Sequence, residues 1–158
     1  MPITPFHLGP ALAVKAGAGR RFSVMVFGVS QVLIDVEPLV QLIRGSAVLH
    51  GFTHTLTGAT LIGIVSAVVG RPLAEWALRV GFAVRTRISP AVAWGSAFFG
   101  TYSHLVLDGM MHRDMHPFAP VTDANPMLGA ISVLAIYVLC ILTGIAGALA
   151  IGMRAESR

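Results

Sequence analysis

The chain has 158 residues and a formal net charge of +4, and its length suits a single domain. Hydrophobic residues make up 55% of the chain and charged residues only 11%, whereas a soluble domain carries about a quarter charged residues. With a mean hydropathy of +0.78, this composition argues against a soluble domain and predicts an integral membrane protein. The positive charge does not indicate a nucleic-acid partner, because the basic residues are dispersed at the ends of apolar stretches.

Four long apolar stretches follow one another along the chain, after a shorter one near the start. A helix of about twenty residues rises 1.5 Å per residue and so crosses a hydrocarbon core of ~30 Å. The pattern predicts an all-α fold: a polytopic membrane helical bundle with four long transmembrane helices plus a short N-terminal helix, forming one domain over residues 1–158. A cytoplasmic linker is expected at 71–90, in which 73–84 could form a surface helix. The predicted helices span residues 5–19, 22–43, 52–70, 91–111 and 127–153.

The Lys and Arg residues divide unequally between the two sides that four spans create. Nine fall on one side and only two, Arg44 and Arg113, on the other. Since short loops rich in Lys and Arg stay in the cytoplasm, the first side is predicted to be cytoplasmic. The nine are Lys15, Arg20, Arg21, Arg71, Arg79, Arg85, Arg87, Arg154 and Arg158.

The histidines and most carboxylates are predicted to lie on the opposite, extracytoplasmic side. They comprise all six histidines and five of the seven carboxylates. His7 fits this placement if residues 5–19 form a helical hairpin with the next helix, because His7 lies fourteen residues before Arg21 and Asp35 fourteen residues after it. Ionisable groups inside a membrane segment are costly and by default indicate function.

Several of these side chains have the spacing of metal ligands. His50 and His54 are four residues apart, and so are His104 and Asp108. On a helix this spacing puts both side chains of a pair on one face, and His112 would continue the second face by another turn. Each pair alone could be a hydrogen-bonded or capping pair, but their convergence on one side favours a metal site.

Imidazole and carboxylate groups are the usual donors for a catalytic zinc or another divalent transition metal. Such an ion lowers the pKa of a bound water towards ~7, and a nearby carboxylate can accept or deliver the proton. Glu37 and Asp114 are the candidates for this catalytic role. Asp35 alone could be a structural or proton-relay carboxylate.

Four short sequence blocks resemble, in their order and combination, a known family. They are TPFHLGP, IDVEPL, LHGFTHT and SHLVLDGMMHRDMHPFAP, and the family consists of small inner-membrane proteins described as metal-dependent hydrolases, one of them a bacterial protein regulated by the SOS repressor LexA. The resemblance implies a multi-pass protein of a bacterial inner membrane that acts as a hydrolase. It also implies the metal residues, which are His7, Asp35, His54, His104 and Asp108.

This chain departs from the family pattern at two places. Many members have Asp-x-Asp-His where it reads DVEP from Asp35, and His-Arg-Gly-x-Thr-His where it reads LHGFTH from Leu49. The early histidine of the second motif is therefore displaced by one position, which leaves the role of His50 open. The motif order is also similar, more distantly, to that of zinc-dependent phospholipase C and single-strand nucleases, which implies a multi-zinc site and phosphoester cleavage.

The leading hypothesis is a membrane-embedded hydrolase with one or two divalent ions, expected to be zinc. Its site would open at the extracytoplasmic membrane surface and act on a lipid or a phosphoester. His50, His112 and His116 would complete the ligand shell or bind substrate. Two alternatives remain open: a protein that moves metal or protons across the membrane, and a non-catalytic assembly protein with a structural His/Asp metal site.

Overall fold

The computed structural model describes residues 4–156. Within that range all regular secondary structure is helical and no strand is present, which confirms the predicted all-α class. Three short 3-10 turns, Thr4–His7, Gly19–Arg21 and Phe52–His54, connect or precede the α-helices. The α-helices are α1 (Leu8–Ala18), α2 (Val24–Ile34), α3 (Val36–Ile43), α4 (Leu56–Phe82), α5 (Pro90–Met111) and α6 (Val133–Glu156).

Three helical segments of the described chain are long and apolar enough to cross a membrane. They are Val24–Ile43, which comprises α2 and α3, then α4, and then α6. The count of four such segments is not confirmed, because α5, the remaining long helix, carries polar side chains along its inner face. The buried residues of α5 include Ser96, Thr101, His104 and Asp108. The length of α5 matches the predicted 91–111, but these polar residues make its mean hydropathy lower than that of the three segments above.

Small residues bring α2, α4 and α5 together around the centre of the protein. Ala67 of α4 and Ala93 and Ala97 of α5 are buried in one apolar cluster with Val26 of α2. A side chain at Gly100 of α5 would collide with a hydroxyl group of α2. Short side chains let transmembrane helices approach closely, and here they bring the polar faces of α2 and α5 into contact.

The sixth helix packs mainly against α1, which makes the N-terminal segment part of the bundle. A Cβ atom at Gly9 would overlap the backbone carbonyl of Cys140, and one at Gly147 would overlap the backbone of Leu12. The two helices therefore touch backbone to backbone. At the other end of α1, Lys15 donates hydrogen bonds to two carbonyl groups of the turn into α2, so α1 and α2 form the expected helical hairpin.

The second long helix extends beyond its predicted range of 52–70. It continues to Phe82, so most of the predicted linker 71–90 is helical and the predicted surface helix 73–84 is the end of α4. The Leu, Ala, Glu and Arg residues after Gly70 are strong helix formers. The residue that follows the helix, Ala83, adopts the left-handed conformation with φ of 55° and ends it.

The last helix begins later than predicted. The sequence predicts a helix over 127–153, whereas α6 starts at Val133 and runs to Glu156. The Ser132 hydroxyl accepts a hydrogen bond from the backbone N–H of Ala135 at 3.3 Å, which is the usual contact of an N-terminal cap. The residues before Ser132 form turns that pack against the end of α5.

Candidate metal centre

A proline places Asp35 at a break between two helices. The sequence predicts one helix over 22–43, but the structure breaks it at Asp35, between α2 and α3. Pro38 has no N–H group to give the carbonyl of Ile34, and that carbonyl instead lies 3.0 Å from the Thr53 hydroxyl, whose one proton is shared between this carbonyl and the Glu37 carboxylate. The broken helix is thereby tied to the segment that carries His54.

Glu37 holds the same segment from the first turn of α3. Its carboxylate accepts hydrogen bonds from the backbone N–H groups of Phe52 at 3.1 Å and Thr53 at 2.6 Å, and from the Thr53 hydroxyl at 2.7 Å. These contacts fix the turn Phe52–His54, which directs the His54 ring into the bundle. Glu37 therefore positions a candidate ligand, and the proton-transfer role expected from the sequence stays a prediction.

Two carboxylates and two histidines from three parts of the fold meet inside the bundle. Asp35, His54, His104 and Asp108 each offer one ligand atom, and these four atoms lie within 4.8 Å of one another. The Nε2 atom of His104 is 3.2 Å from an oxygen of Asp35 and 3.2 Å from an oxygen of Asp108. We call these four residues the primary group. The i, i+4 spacing on α5 gives the predicted pairing of His104 with Asp108.

The tautomers of the two histidines follow from their partners on the outer side. Gln31 donates its amide N–H to the carbonyl of Gly100 at 2.9 Å, so its oxygen faces His104 and accepts from Nδ1–H at 3.0 Å. The Thr53 hydroxyl, which donates to an oxygen acceptor, can accept from Nδ1–H of His54 at 3.1 Å. Each ring then carries its proton on Nδ1 and presents an Nε2 lone pair to the centre.

The two Nε2 atoms of the primary group face each other at 3.3 Å. Each of them also faces carboxylate oxygens, at 3.2–3.8 Å. Lone pairs and negative charges in a buried place repel one another unless a proton or a metal cation lies between them. A divalent metal ion satisfies all four ligand atoms at once, and the outer hydrogen bonds that orient the rings are the usual partners of metal-bound histidines.

His7 lies against the outside of the primary group. Its Nδ1 atom is 3.1 Å from Nδ1 of His104, and its Nε2 atom is 3.4 Å from an oxygen of Asp108. The predicted hairpin does bring His7 and Asp35 together, since both contact the His104 ring. His7 thus touches two candidate ligands without belonging to the set of four.

A second group of possible ligands adjoins the first and shares one residue with it. His50, Asp108 and His112 also offer ligand atoms within 4.8 Å of one another. The prediction that His50 and His54 share a helix face is wrong, because His50 precedes the turn Phe52–His54. Likewise, α5 ends at Met111, so His112 lies just beyond the helix.

Asp114 orients His50. Its carboxylate lies 3.0 Å from Nδ1 of His50 and accepts hydrogen bonds from the backbone N–H groups of Leu49 and His50. Although partial burial raises the pKa of Asp114, these hydrogen bonds and the His50 ring lower it to about 2. Asp114 therefore positions His50, and the proton-transfer role expected from the sequence stays a prediction.

His116 lies apart from both groups. It is exposed, and its Nδ1 atom is 2.6 Å from the carbonyl oxygen of Asp123. Gln31, by contrast, lies in the site, where it contacts His104, although the sequence patterns above do not indicate it. Its signal was available, because Gln31 stands four residues before Asp35 and so shares a helix face with it.

Taken together, the fold and the site define a helical membrane protein with a buried His/Asp cluster that could hold a metal ion. Residues 13–157 match the model of the YdjM inner membrane protein family, and the chain belongs to that family. This confirms the family resemblance and the membrane location. The match begins after His7. Searches of curated proteins and of solved structures found no match.

Proposed function

We propose that this protein is a membrane-embedded metal-dependent hydrolase whose primary group binds a divalent ion. The observation that carries the proposal is the convergence of two Nε2 lone pairs and two carboxylates at 3.2–3.8 Å in a buried place. Nitrogen and oxygen donors of this kind suit zinc. When bound, such an ion lowers the pKa of a coordinated water and polarises a carbonyl or phosphoryl oxygen.

Within the primary group, Asp35 is the ligand nearest to solvent. Its side chain is 27% exposed, whereas the side chains of His54, His104 and Asp108 are almost completely buried. Water or substrate would therefore reach the ion from the Asp35 side. The break at Asp35 supports this direction, because it opens the helix at the one ligand that stands at the rim.

A lipid or another amphiphilic phosphoester is the proposed substrate class. A cavity of about 610 Å³ adjoins the site and is lined by Val48, His50, Phe52, Thr55, Pro120 and other residues of the two loops. Phe52 is 56% exposed and would contact an acyl chain, while His50 belongs to both the cavity and the second group. An apolar wall that ends at histidines suits a substrate with a chain and a polar ester.

We further propose a four-span topology with the site on the extracytoplasmic side. The basic residues Lys15 and Arg154 lie near the opposite helix ends, where Arg154 donates to the carbonyl of Ala16. In this topology α5 crosses the membrane as a helix shielded by α2 and α4, despite its lower hydropathy. Labelling of single cysteines introduced at Ser46 and Arg85 from outside intact cells tests it: only the first should react.

The hydrolase proposal is tested by metal content and turnover together. The protein is purified in mild detergent, and bound metals are measured by elemental analysis, for the wild type and for a His104→Ala/Asp108→Ala double variant. His116→Ala, which removes a histidine outside both groups, is the matched control. We expect metal in the wild type and the control and none in the double variant.

Turnover is then measured with a chromogenic phosphodiester and with fluorescent phospholipids in mixed micelles. His104→Ala and Asp108→Ala should each abolish hydrolysis while the helical circular dichroism spectrum is retained. Full activity in either variant contradicts the proposal, and a wild type without metal after reconstitution removes its basis.

A structural metal site is the second candidate, because the primary group supplies four protein residues. Four ligands close a tetrahedral shell, as in structural zinc sites. Metal bound at the expected ratio, with no hydrolysis of any tested ester, would favour this candidate. A transport role is supported less, since the buried hydroxyls of Ser30 and Thr101 donate to carbonyls of their own helices.

A further inference from the structure

We propose a second metal position beside the first, formed by His50, His112 and Asp108, with the Asp108 carboxylate shared between the two ions. We refer to these three residues as the secondary group. The inference rests on the proposed function in one respect, since Asp108 belongs to the primary group as well. It makes the centre dinuclear and assigns the two positions different tasks.

His50 is prepared as a ligand by its surroundings. Its Nδ1 atom is 3.0 Å from both oxygens of the Asp114 side chain, so Nδ1–H donates to that carboxylate and the ring proton lies on Nδ1. The Nε2 lone pair then points inward and lies 3.9 Å from an oxygen of Asp108. A carboxylate behind a histidine is the arrangement that fixes the tautomer and raises the basicity of metal-bound imidazoles.

His112 supplies an independent observation. Its Nε2 atom is buried and has no hydrogen-bond partner, which is unusual because a buried polar atom without a partner costs about 1–3 kcal/mol. The ring lies 4.3 Å from that of His50, centroid to centroid, at an interplanar angle of 31°. The end of α5 holds His112 in place, since its backbone N–H donates to the backbone carbonyl of Asp108 at 2.8 Å. An ion between the two rings would satisfy this nitrogen.

Asp108 is placed to bridge the two positions. One of its oxygens faces Nε2 of His104 at 3.2 Å, Nε2 of His54 at 3.7 Å and Nε2 of His50 at 3.9 Å. The other oxygen has no hydrogen-bond partner and lies 3.4 Å from Nε2 of His7. A buried carboxylate with one oxygen facing imidazoles of both groups can bridge the two ions through that oxygen.

The two positions differ in how many residues they take from the protein. The primary group has four, with Asp35 at its solvent-facing rim, whereas the secondary group has three, which leaves a coordination position for water as in catalytic zinc sites. His50 also lines the apolar cavity beside the site. The secondary position would therefore supply a water on the cavity side, while water or substrate still reaches the primary ion past Asp35.

Metal stoichiometry and magnetic coupling test the second position. The full-length protein in detergent is stripped of metal and titrated with Mn²⁺, which is followed by electron paramagnetic resonance, and with Zn²⁺, which is followed by elemental analysis after removal of free ion. His112→Ala is compared with His116→Ala as the matched control. We expect two ions per chain in the wild type and the control and one in His112→Ala, with a spin-coupled Mn²⁺ signal that appears only at the second equivalent.

The titration of the wild type keeps the test valid if His112→Ala fails to fold. One ion per chain in the wild type, without spin coupling, overturns the second position and leaves the proposed function standing. Two ions in both the wild type and His112→Ala also overturn it, because the second ion then lies elsewhere. No bound ion in the wild type overturns this inference and the proposed function together.

Discussion

Replacing Gln31 with leucine should weaken metal binding without touching any candidate ligand. Gln31 is 1% exposed, and its oxygen accepts the Nδ1–H of His104 at 3.0 Å while its amide donates to Gly100 at 2.9 Å. Leucine keeps the approximate volume but provides neither contact. The His104 ring then loses the partner that fixes its tautomer and orientation.

The magnitude follows from what such outer partners are worth. Removing one typically lowers metal affinity 10–100-fold, which corresponds to about 1.4–2.7 kcal/mol of binding free energy. Loss of the Gln31 hydrogen bond to Gly100, whose carbonyl still accepts from the Ser103 hydroxyl at 3.1 Å, adds a loss of folding stability of about 0.5–1.5 kcal/mol. The two effects are measured separately, because affinity is determined on the folded fraction and stability on the metal-free protein.

The assay is competition for Zn²⁺ with a chromophoric chelator in detergent. Ser30→Ala is the matched control, because Ser30 is buried on the same helix but donates to Phe27 and has no contact with His104. Gln31→Glu should retain most of the affinity, since its carboxylate still accepts from the ring. Equal zinc affinities for Gln31→Leu and the wild type would refute the assigned tautomer and orientation of His104.

Three further perturbations test other parts of the structure. Gly9→Ala should lower the free energy of unfolding by about 1–3 kcal/mol, because its Cβ would collide with the carbonyl of Cys140. Gly17→Ala, whose Cβ would meet no atom within 4 Å, should not destabilise the protein. Thermal unfolding in detergent compares the two variants. Pro38→Ala should rejoin α2 and α3 and take the carbonyl of Ile34 from Thr53, which lowers zinc affinity by at least about 10-fold, and unchanged affinity would argue against the role of the break. Metal removal by a chelator should lower the free energy of unfolding of the wild type by about 2.7 kcal/mol, relative to protein in free metal at 100 times its dissociation constant. A His104→Ala/Asp108→Ala variant that responds equally to the chelator would place the stabilising ion elsewhere.

Part of the candidate site could be read from the sequence because it depends on local spacing. The four-residue interval between His104 and Asp108 lies within one helix, so the helical period alone puts them on one face. The histidines and carboxylates also fall near the same helix ends, which follows from counting basic residues and spans. Pro38 offered a further local signal for the break at Asp35, and the four-residue step from Gln31 to Asp35 offered one for Gln31.

The roles of Glu37, Asp114 and His116 could not be read in the same way. In the sequence, a carboxylate that transfers protons looks the same as one that accepts hydrogen bonds from a distant backbone N–H group. Glu37 is fixed by the turn before α4, and Asp114 by the segment that carries His50, so each acts across an interval that no local pattern describes. His116 lies in a loop whose path depends on packing against the end of α5.

The membrane class, the helical fold and the pairing of His104 with Asp108 are determined by the sequence itself, because composition and helical periodicity are properties of single segments. The tertiary structure decided which segments meet: α5 turned its polar face inward, α6 packed on α1, and Asp35 and His54 came to lie beside His104. These outcomes depend on how closely small residues let helices approach and on which buried donors find acceptors. Both are relations between segments distant in the chain, so only the folded protein defines the two groups of ligands.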